Sequence, residues 1–252
     1  MGEALLGGLL AAGWAKPGEL AVVEVVADRR DALRAAFPGV DVRDAVTAAD
    51  GAVVAVKPND VATACAALAE AGVVRVLSIA AGVPTARLEA GLAPGAAVVR
   101  AMPNTPALVG AGAAAIAGGT AASDDDLAWA ESILAAVGTV VRVDESLLDA
   151  VTGVSGSGPA YVFRFAEALI EAGVQAGLPR EISVALTEQT LTGSARLLAS
   201  SEDPPEALRA AVTSPGGTTA AALRVLDEAG WFDAMVAAVA AATARSRELG
   251  AS

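Results

Sequence analysis

Histidine is absent from the 252 residues. This removes the commonest general acid–base group and the commonest metal ligand. A Ser-His-Asp hydrolase and a His-ligated zinc enzyme are thereby excluded, and no metal site is expected. Proton transfer falls to carboxylates, lysine, Tyr161, hydroxyls or water. Cysteine is nearly absent: Cys65 stands alone in an Ala-rich helical stretch. One cysteine forms no internal disulfide and suits a reducing cytoplasm. It reads as a small buried apolar residue, not a nucleophile. Aromatic residues make up 3% of the chain and apolar residues 54%, so the core is built from Ala, Val and Leu. Basic residues are scarce, 17 Lys and Arg against 29 Asp and Glu, for a formal charge of −12. Nucleic acids and anionic membranes are recognised by clustered Lys and Arg, so neither is an expected partner. The longest uncharged stretch runs from Ala101 to Ser123 but holds Pro103, Asn104, Pro106 and several glycines. Those break a spanning helix. The N-terminus lacks the basic segment of a signal peptide. The expected location is the cytoplasm.

What is present falls into two halves. The chain opens with a helical stripe, Leu5, Leu6, Leu9 and Leu10, ended by Gly13 and Pro17-Gly18. Short Val-rich runs then alternate with helical segments. Strands are expected at Leu20–Val26, Ala52–Val56, Val74–Ile79, Ala97–Ala101, Ala113–Ala117 and Thr139–Val143. Helices are expected at Arg29–Phe37, Asp60–Ala71, Thr85–Gly91 and Asp124–Val137. Continuous apolar strands alternating with helices imply a parallel sheet covered on both faces, the α/β class. After about Asp144 the strands stop. Pro159–Ala176 is helical and nearly apolar all round, with Arg164, Glu167 and Glu171 on one narrow face. Such a helix needs burial, and in a half of this size burial calls for a second subunit. Pro179–Leu198, Pro204–Val212, Thr218–Ala229 and Trp231–Glu248 complete an all-helical half.

Several segments have the physical chemistry of a binding site. Gly2 stands where the last glycine of a G-x-G-x-x-G phosphate turn stands at a helix N-terminus. By itself it also fits a helix that merely caps a sheet edge. AVKP (Ala55–Pro58) ends a strand, where α/β sheets bind ligands; the plainer reading is a surface lysine. MPNTP (Met102–Pro106) is stiffened by two prolines, which suits holding a ring in one orientation; an ordinary turn fits too. SGSGPAY (Ser155–Tyr161) places Ser157 as an N-cap and Pro159 at N1 of the long helix, where exposed amides also attract an anion. SPGGTT (Ser214–Thr219) combines glycines that allow close backbone approach with free amides and hydroxyls. Glu24 sits near the end of Leu20–Val26, which is the second strand of a dinucleotide fold when a strand precedes the glycine turn, and there an acidic residue bonds a ribose 2′-hydroxyl. Asp28 follows it, while Arg29 and Arg30 stand nearby as possible clamps for a 2′-phosphate.

Together AVKP, SIAAG (Ser78–Gly82), VRAMPNTPALVGAGAAAIAGG (from Val99), VTGVSGSGPAYVF (from Val151), AGLPR (from Ala176) and VTSPGGTTAAALRVLDEAGW (from Val212) resemble, in order and over essentially the whole chain, the pyrroline-5-carboxylate reductases. The resemblance implies a Rossmann-like dinucleotide-binding domain over 1–145. It also implies a helical dimerisation and substrate-binding domain over 146–252. The implied reaction is hydride transfer from NADPH or NADH to the imine carbon of 1-pyrroline-5-carboxylate, giving L-proline. It places Val56, Lys57 and Pro58 on the adenosine–phosphate side of the cofactor, the side to which the helix start at Met1 and Gly2 and the strand end at Glu24 also belong, and Met102, Pro103 and Asn104 at the nicotinamide. Ser157, Ser214, Gly217, Thr218 and Thr219 fall to the substrate, with the Thr219 hydroxyl next to the imine as the catalytic group. The implied assembly is a homodimer through the helical domain, and dimers assemble further in the family. Members usually begin with a short strand and a glycine turn ahead of "MGEA"; about ten residues of that kind are not seen here. The alternatives are a catalytically inactive dimeric homologue and a reductase of a related cyclic imine.

Overall fold

Runs of β-branched valine too short for helices become strands, and Ala- and Leu-rich segments with polar stripes become helices. The computed structural model describes residues 1–251. Its elements run α1 (Gly2–Ala11), β1 (Ala21–Val23), α2 (Ala27–Ala36), β2 (Asp41–Arg43), β3 (Ala52–Val54), α3 (Val61–Glu70) and β4 (Arg75–Ser78). Then come α4 (Thr85–Ala90), β5 (Ala97–Met102), β6 (Gly112–Gly118), α5 (Asp124–Ala135), β7 (Gly138–Arg142) and α6 (Leu148–Val151). The rest is α7 (Gly158–Gln175), α8 (Arg180–Ser200), α9 (Pro205–Ala211), α10 (Thr218–Glu228) and α11 (Trp231–Ala251). Two compact units result: residues 1–157 together with 240–252, and residues 158–239.

The first unit is the α/β half. Strands β1 and β2 pair in parallel, Val22 opposite Val42, and β3-β4-β5-β6-β7 form a second sheet. Helix α1 serves both. Its Leu5 and Leu9 pack with Leu77, Val99, Ile116 and Ile133 beneath the larger sheet. Its Leu6 joins Leu33, Val40 and Val42 beneath the smaller one. On the other side of the larger sheet, Val61, Cys65 and Leu68 of α3 pack with Val76, Leu88 and Val98. Cys65 is buried as expected, and burial pushes its thiol pKa up, which leaves it a poor nucleophile.

The sheets depart from the sequence reading in three ways. Strand β2 was not expected, because Asp41-Val42-Arg43 offers one apolar residue between two charges; pairing with β1 supplies what propensity does not. Strand β6 pairs antiparallel to β5, with β7 parallel to β6, so the sheet is mixed at this end. Strand direction leaves no mark on an apolar run. The first strand is also shorter than Leu20–Val26, since the chain turns at Glu24 into α2.

The second unit differs in kind. None of α7, α9 and α10 buries a residue, and α8 buries only Ser183 and Thr187. Ser183 Oγ donates to the Ile170 carbonyl (2.7 Å), tying α8 to α7, and Gly173 faces it because any side chain there would strike the hydroxyl. The rings of Phe165 and Trp231 lie 6.0 Å apart. Val162, Phe163, Leu186, Val225, Phe232 and Val236 remain exposed.

Candidate active site

The chain-reversing segments of the first unit carry the residues expected to face a dinucleotide. Helix α1 begins at Gly2 with Met1 as N-cap and no side-chain cap, so its first amides have no intrahelical partner. A Cβ on Gly2 would stand 3.0 Å from the Ala55 Cβ, a tight approach, so the helix start lies close against the segment just past β3. Uncapped amides at a close-packed helix start beside a strand end fit a pyrophosphate. Val56 is partly exposed and Lys57 exposed, and Pro58 opens a short 3-10 turn. Glu24 continues the ladder past β1, its amide donating to the Arg43 carbonyl (3.0 Å), and its Oε1 accepts from the Val26 amide (2.9 Å). Arg29 pairs with Glu3 (2.9 Å).

The loop after β5 is held by side-chain stitches. The Asn104 carboxamide donates from Nδ2 to the Ser155 carbonyl (3.1 Å), and its Oδ1 accepts from the Ala113 amide (2.8 Å). The side chain read as a cofactor contact thus joins its own loop to β6 and to the segment before α7. That segment is a π-turn, Thr152–Gly156, closed by the Ser157 amide donating to the Thr152 carbonyl (2.8 Å). A Cβ on Gly156 would lie 2.5 Å from the Met102 Cε, so Met102 seats on this glycine. The N-cap reading of Ser157 does not hold. Its φ of −84° and ψ of −20° are helical, whereas an N-cap is extended; the chain passes from the π-turn into α7 without a fresh start. π-turns inside helices gather at functional sites.

On the strand that leads into this loop lies one member of a cluster that sequence reasoning missed. Glu145 accepts from the Thr85 amide (2.8 Å), the Thr85 hydroxyl (2.6 Å) and Arg100 Nη1 (3.0 Å). Arg100 lies on β5, two residues before Met102, and is buried. Burial works to raise the Glu145 pKa, but the Thr85 hydroxyl and amide and the Arg100 guanidinium outweigh it and hold the carboxyl below its ordinary value. The signal was present: Arg100 is the one charge between Ala96 and Ser123, and a charge in a buried strand needs a partner.

In the second unit, SPGGTT forms a turn into α10. Gly216 takes φ +70°, and Gly217 is the N-cap, donating its amide to the Ser214 carbonyl (3.0 Å). A side chain at Gly217 would collide with the Ser214 hydroxyl. No side chain caps α10. The amides of Thr218 and Thr219 are therefore left to a ligand or solvent, with the Ser214, Thr218 and Thr219 hydroxyls on the same turn. Such a set of neutral donors at a helix start has the chemistry to accept a carboxylate.

Comparison with known proteins decides the family. Residues 145–249 match the family profile described as pyrroline-5-carboxylate reductase dimerisation, and residues 1–82 match one described as NADP oxidoreductase coenzyme F420-dependent. The pyrroline-5-carboxylate reductase of Synechocystis is 46% identical over 255 residues, covering 99% of this chain and 95% of that one. This chain belongs to the pyrroline-5-carboxylate reductase family. The solved reductase of Coxiella burnetii superposes with a TM-score of 0.92 at 37% identity, covering 98% and 94% of the two chains. The Plasmodium falciparum enzyme, solved with NADP bound, gives 0.84 at 29% identity, covering 99% and 94%. The reductase fold is thus a Rossmann-like α/β half followed by a helical dimerisation half. The exposed apolar helices of the second unit lie within the dimerisation match. Among the described residues no helix is long and apolar enough to cross a membrane.

Proposed function

We propose that this chain reduces 1-pyrroline-5-carboxylate to L-proline with NADPH or NADH, the last step of proline biosynthesis, as a homodimer. The observation that supports it most is the Gly217-capped start of α10, with two adjacent threonine hydroxyls and no charge of its own. The substrate is a small carboxylate, and neutral amides hold a carboxylate without a competing ion pair. Residues 1–145 form the dinucleotide-binding domain, and residues 146–252 the helical dimerisation and substrate domain. The cytoplasm is the proposed location.

The bound reduced nicotinamide supplies the hydride that reaches the imine carbon. The chain's own residues position and select. Met1, Gly2, Val56, Lys57 and Pro58 line the phosphate side, and Glu24 the adenine ribose. Met102, Pro103 and Asn104 shape the nicotinamide side, with the Asn104 stitches keeping that loop in one conformation. Ser214, Gly217, Thr218 and Thr219 hold the substrate carboxylate and ring, and Ser157 adds a donor. The Thr219 hydroxyl faces the ring nitrogen. A protonated imine is already electrophilic, so orientation and exclusion of water are the main demands; this is chemistry that a protein without histidine can perform. Neither a related cyclic imine nor an inactive homologue is favoured by any observation. The test is proline formation from pyrroline-5-carboxylate with each cofactor in turn. Turnover is expected; a folded dimer that forms no proline with either cofactor would sink the reading.

A further inference from the structure

The end of β1 is where a doubly wound sheet meets the adenine ribose of a dinucleotide. Four arginines stand on the surrounding elements, and each has a partner. Arg29 is paired with Glu3 (2.9 Å). Arg30 Nη1 donates to the carbonyls of Glu24 and Val25, both at 2.9 Å. Arg34 donates to Asp31 (2.8 Å) and to the Val42 carbonyl (2.9 Å). Arg43 is paired with Asp41 (2.6 Å) and donates to the Thr47 hydroxyl (2.8 Å). A 2′-phosphate is received by a guanidinium fork turned towards it; here Arg30 is turned to two backbone carbonyls through Nη1 and Arg29 to Glu3 through Nη2.

The acid at this point is set up differently. Glu24 Oε1 is fixed by the Val26 amide, while among the described residues its Oε2 takes no hydrogen bond. One oxygen is anchored and one is open to accept. A ribose 2′-hydroxyl can donate to it; a 2′-phosphate brings negative charge against it and against Asp28, in the first turn of α2. Arg30 adds to the selection by donating to the successive carbonyls of Glu24 and Val25, which holds the strand end in place.

Resting on the reading above, we infer that Glu24 makes this chain a reductase selective for NADH over NADPH. The test is direct titration of the full chain with each reduced dinucleotide, followed by nicotinamide fluorescence, beside the turnover assay. NADH is expected to bind at least about tenfold more tightly, the size of one lost charge-assisted hydrogen bond. Glu24→Gln keeps an acceptor for the Val26 amide and should bring the ratio towards one; Glu24→Ser should do the same. Arg29→Ala should leave the ratio unchanged. NADPH binding as tight as NADH, or a ratio unmoved by either Glu24 variant, overturns the inference. So does a loss of NADPH binding in Arg29→Ala, which would assign the 2′ position to that arginine. Proline formation alongside any of these leaves the proposed function standing. Selective NADH binding without proline formation sinks the function and spares the selectivity.

Discussion

The two units of this chain are equally apolar in sequence and unlike in burial. In the first, leucines and valines from α1, α3, α5 and the sheets close over one another, and Val76, Leu77, Val98 and Ile116 are fully buried. In the second, helices of similar composition bury almost nothing, and Phe163 and Phe232 stand 63% and 75% exposed. A sheet gives short apolar strands a surface to share within one chain. Helices can close a core among themselves, but these leave their apolar faces open. The family's dimerisation segment falls on these helices. The contrast agrees with the proposed homodimer, in which a second copy supplies the rest of the second core.

The largest expected effect breaks that contrast directly. Phe163→Glu places a charge where a dimer core is formed. Each buried aromatic or aliphatic side chain there is worth about 1.5–3 kcal/mol per protomer, and a symmetric interface counts the change twice. Sizing by light scattering should show monomers, and proline formation should fall at least about a hundredfold. Leu77→Ala in β4 is the matching change in the first unit. It should cost about 2–5 kcal/mol yet leave a dimer. The melting temperature of Phe163→Ala should rise with protein concentration while the Leu77→Ala deficit stays constant, because only the former is linked to association. Equal concentration dependence would remove the distinction between the units.

A second prediction separates the ligands instead of the folds. Gly217→Ala sets a methyl group against the Ser214 hydroxyl and disturbs the uncapped start of α10. The KM for pyrroline-5-carboxylate should rise about tenfold or more, as for one lost charge-assisted hydrogen bond, while binding of the reduced dinucleotide stays unchanged. A matching loss of dinucleotide binding would show that the two sets of residues are not independent.

A third prediction concerns the first unit alone. Asn104→Ala leaves the Ala113 amide and the Ser155 carbonyl without their partner, at a cost of about 1–3 kcal/mol. A loosened loop should lower kcat more than it raises the KM for substrate. A drop in melting temperature with kcat intact would reduce Asn104 to a structural stitch.

How much of this was legible depends on whether the cause is local. The valine runs at Ala52–Val54, Arg75–Ser78 and Ala97–Met102 are strands because of what they contain. Asp41–Arg43 is a strand because of what it lies beside, and nothing in three residues announces that. The Gly216-Gly217 turn was readable, since only glycine takes φ +70° comfortably and a side chain at the next position has no room. The π-turn was not. SGSG reads as a break before a helix, and the i+5 bond from Ser157 to Thr152 depends on Met102 and Asn104 arriving from fifty residues upstream. The role of Asn104 was half legible: a polar residue between prolines marked a fixed loop, but not that the fixing is done by its own side chain.

The smallest predicted effect tests the Glu145–Arg100 pair on the strand that leads into that loop. Glu145 is held below its ordinary pKa despite partial burial, because Thr85 and Arg100 favour its charged form. A carboxylate whose folded pKa lies below its unfolded one contributes stability above the unfolded value, and loses it as pH falls towards the folded one. The loss should begin below about pH 4.3. Glu145→Gln abolishes this contribution and leaves Arg100 buried without its partner charge, a change of about 1–3 kcal/mol at neutral pH. Its stability should be lower than that of the parent at pH 7, and the two should converge as acid removes the Glu145 charge from the parent. Urea denaturation at pH 7 and at pH 3.5 reads both points. A constant difference between the two proteins at both pH values would mean that the carboxylate acts through its shape and hydrogen bonds alone, not through the charge it sets against Arg100.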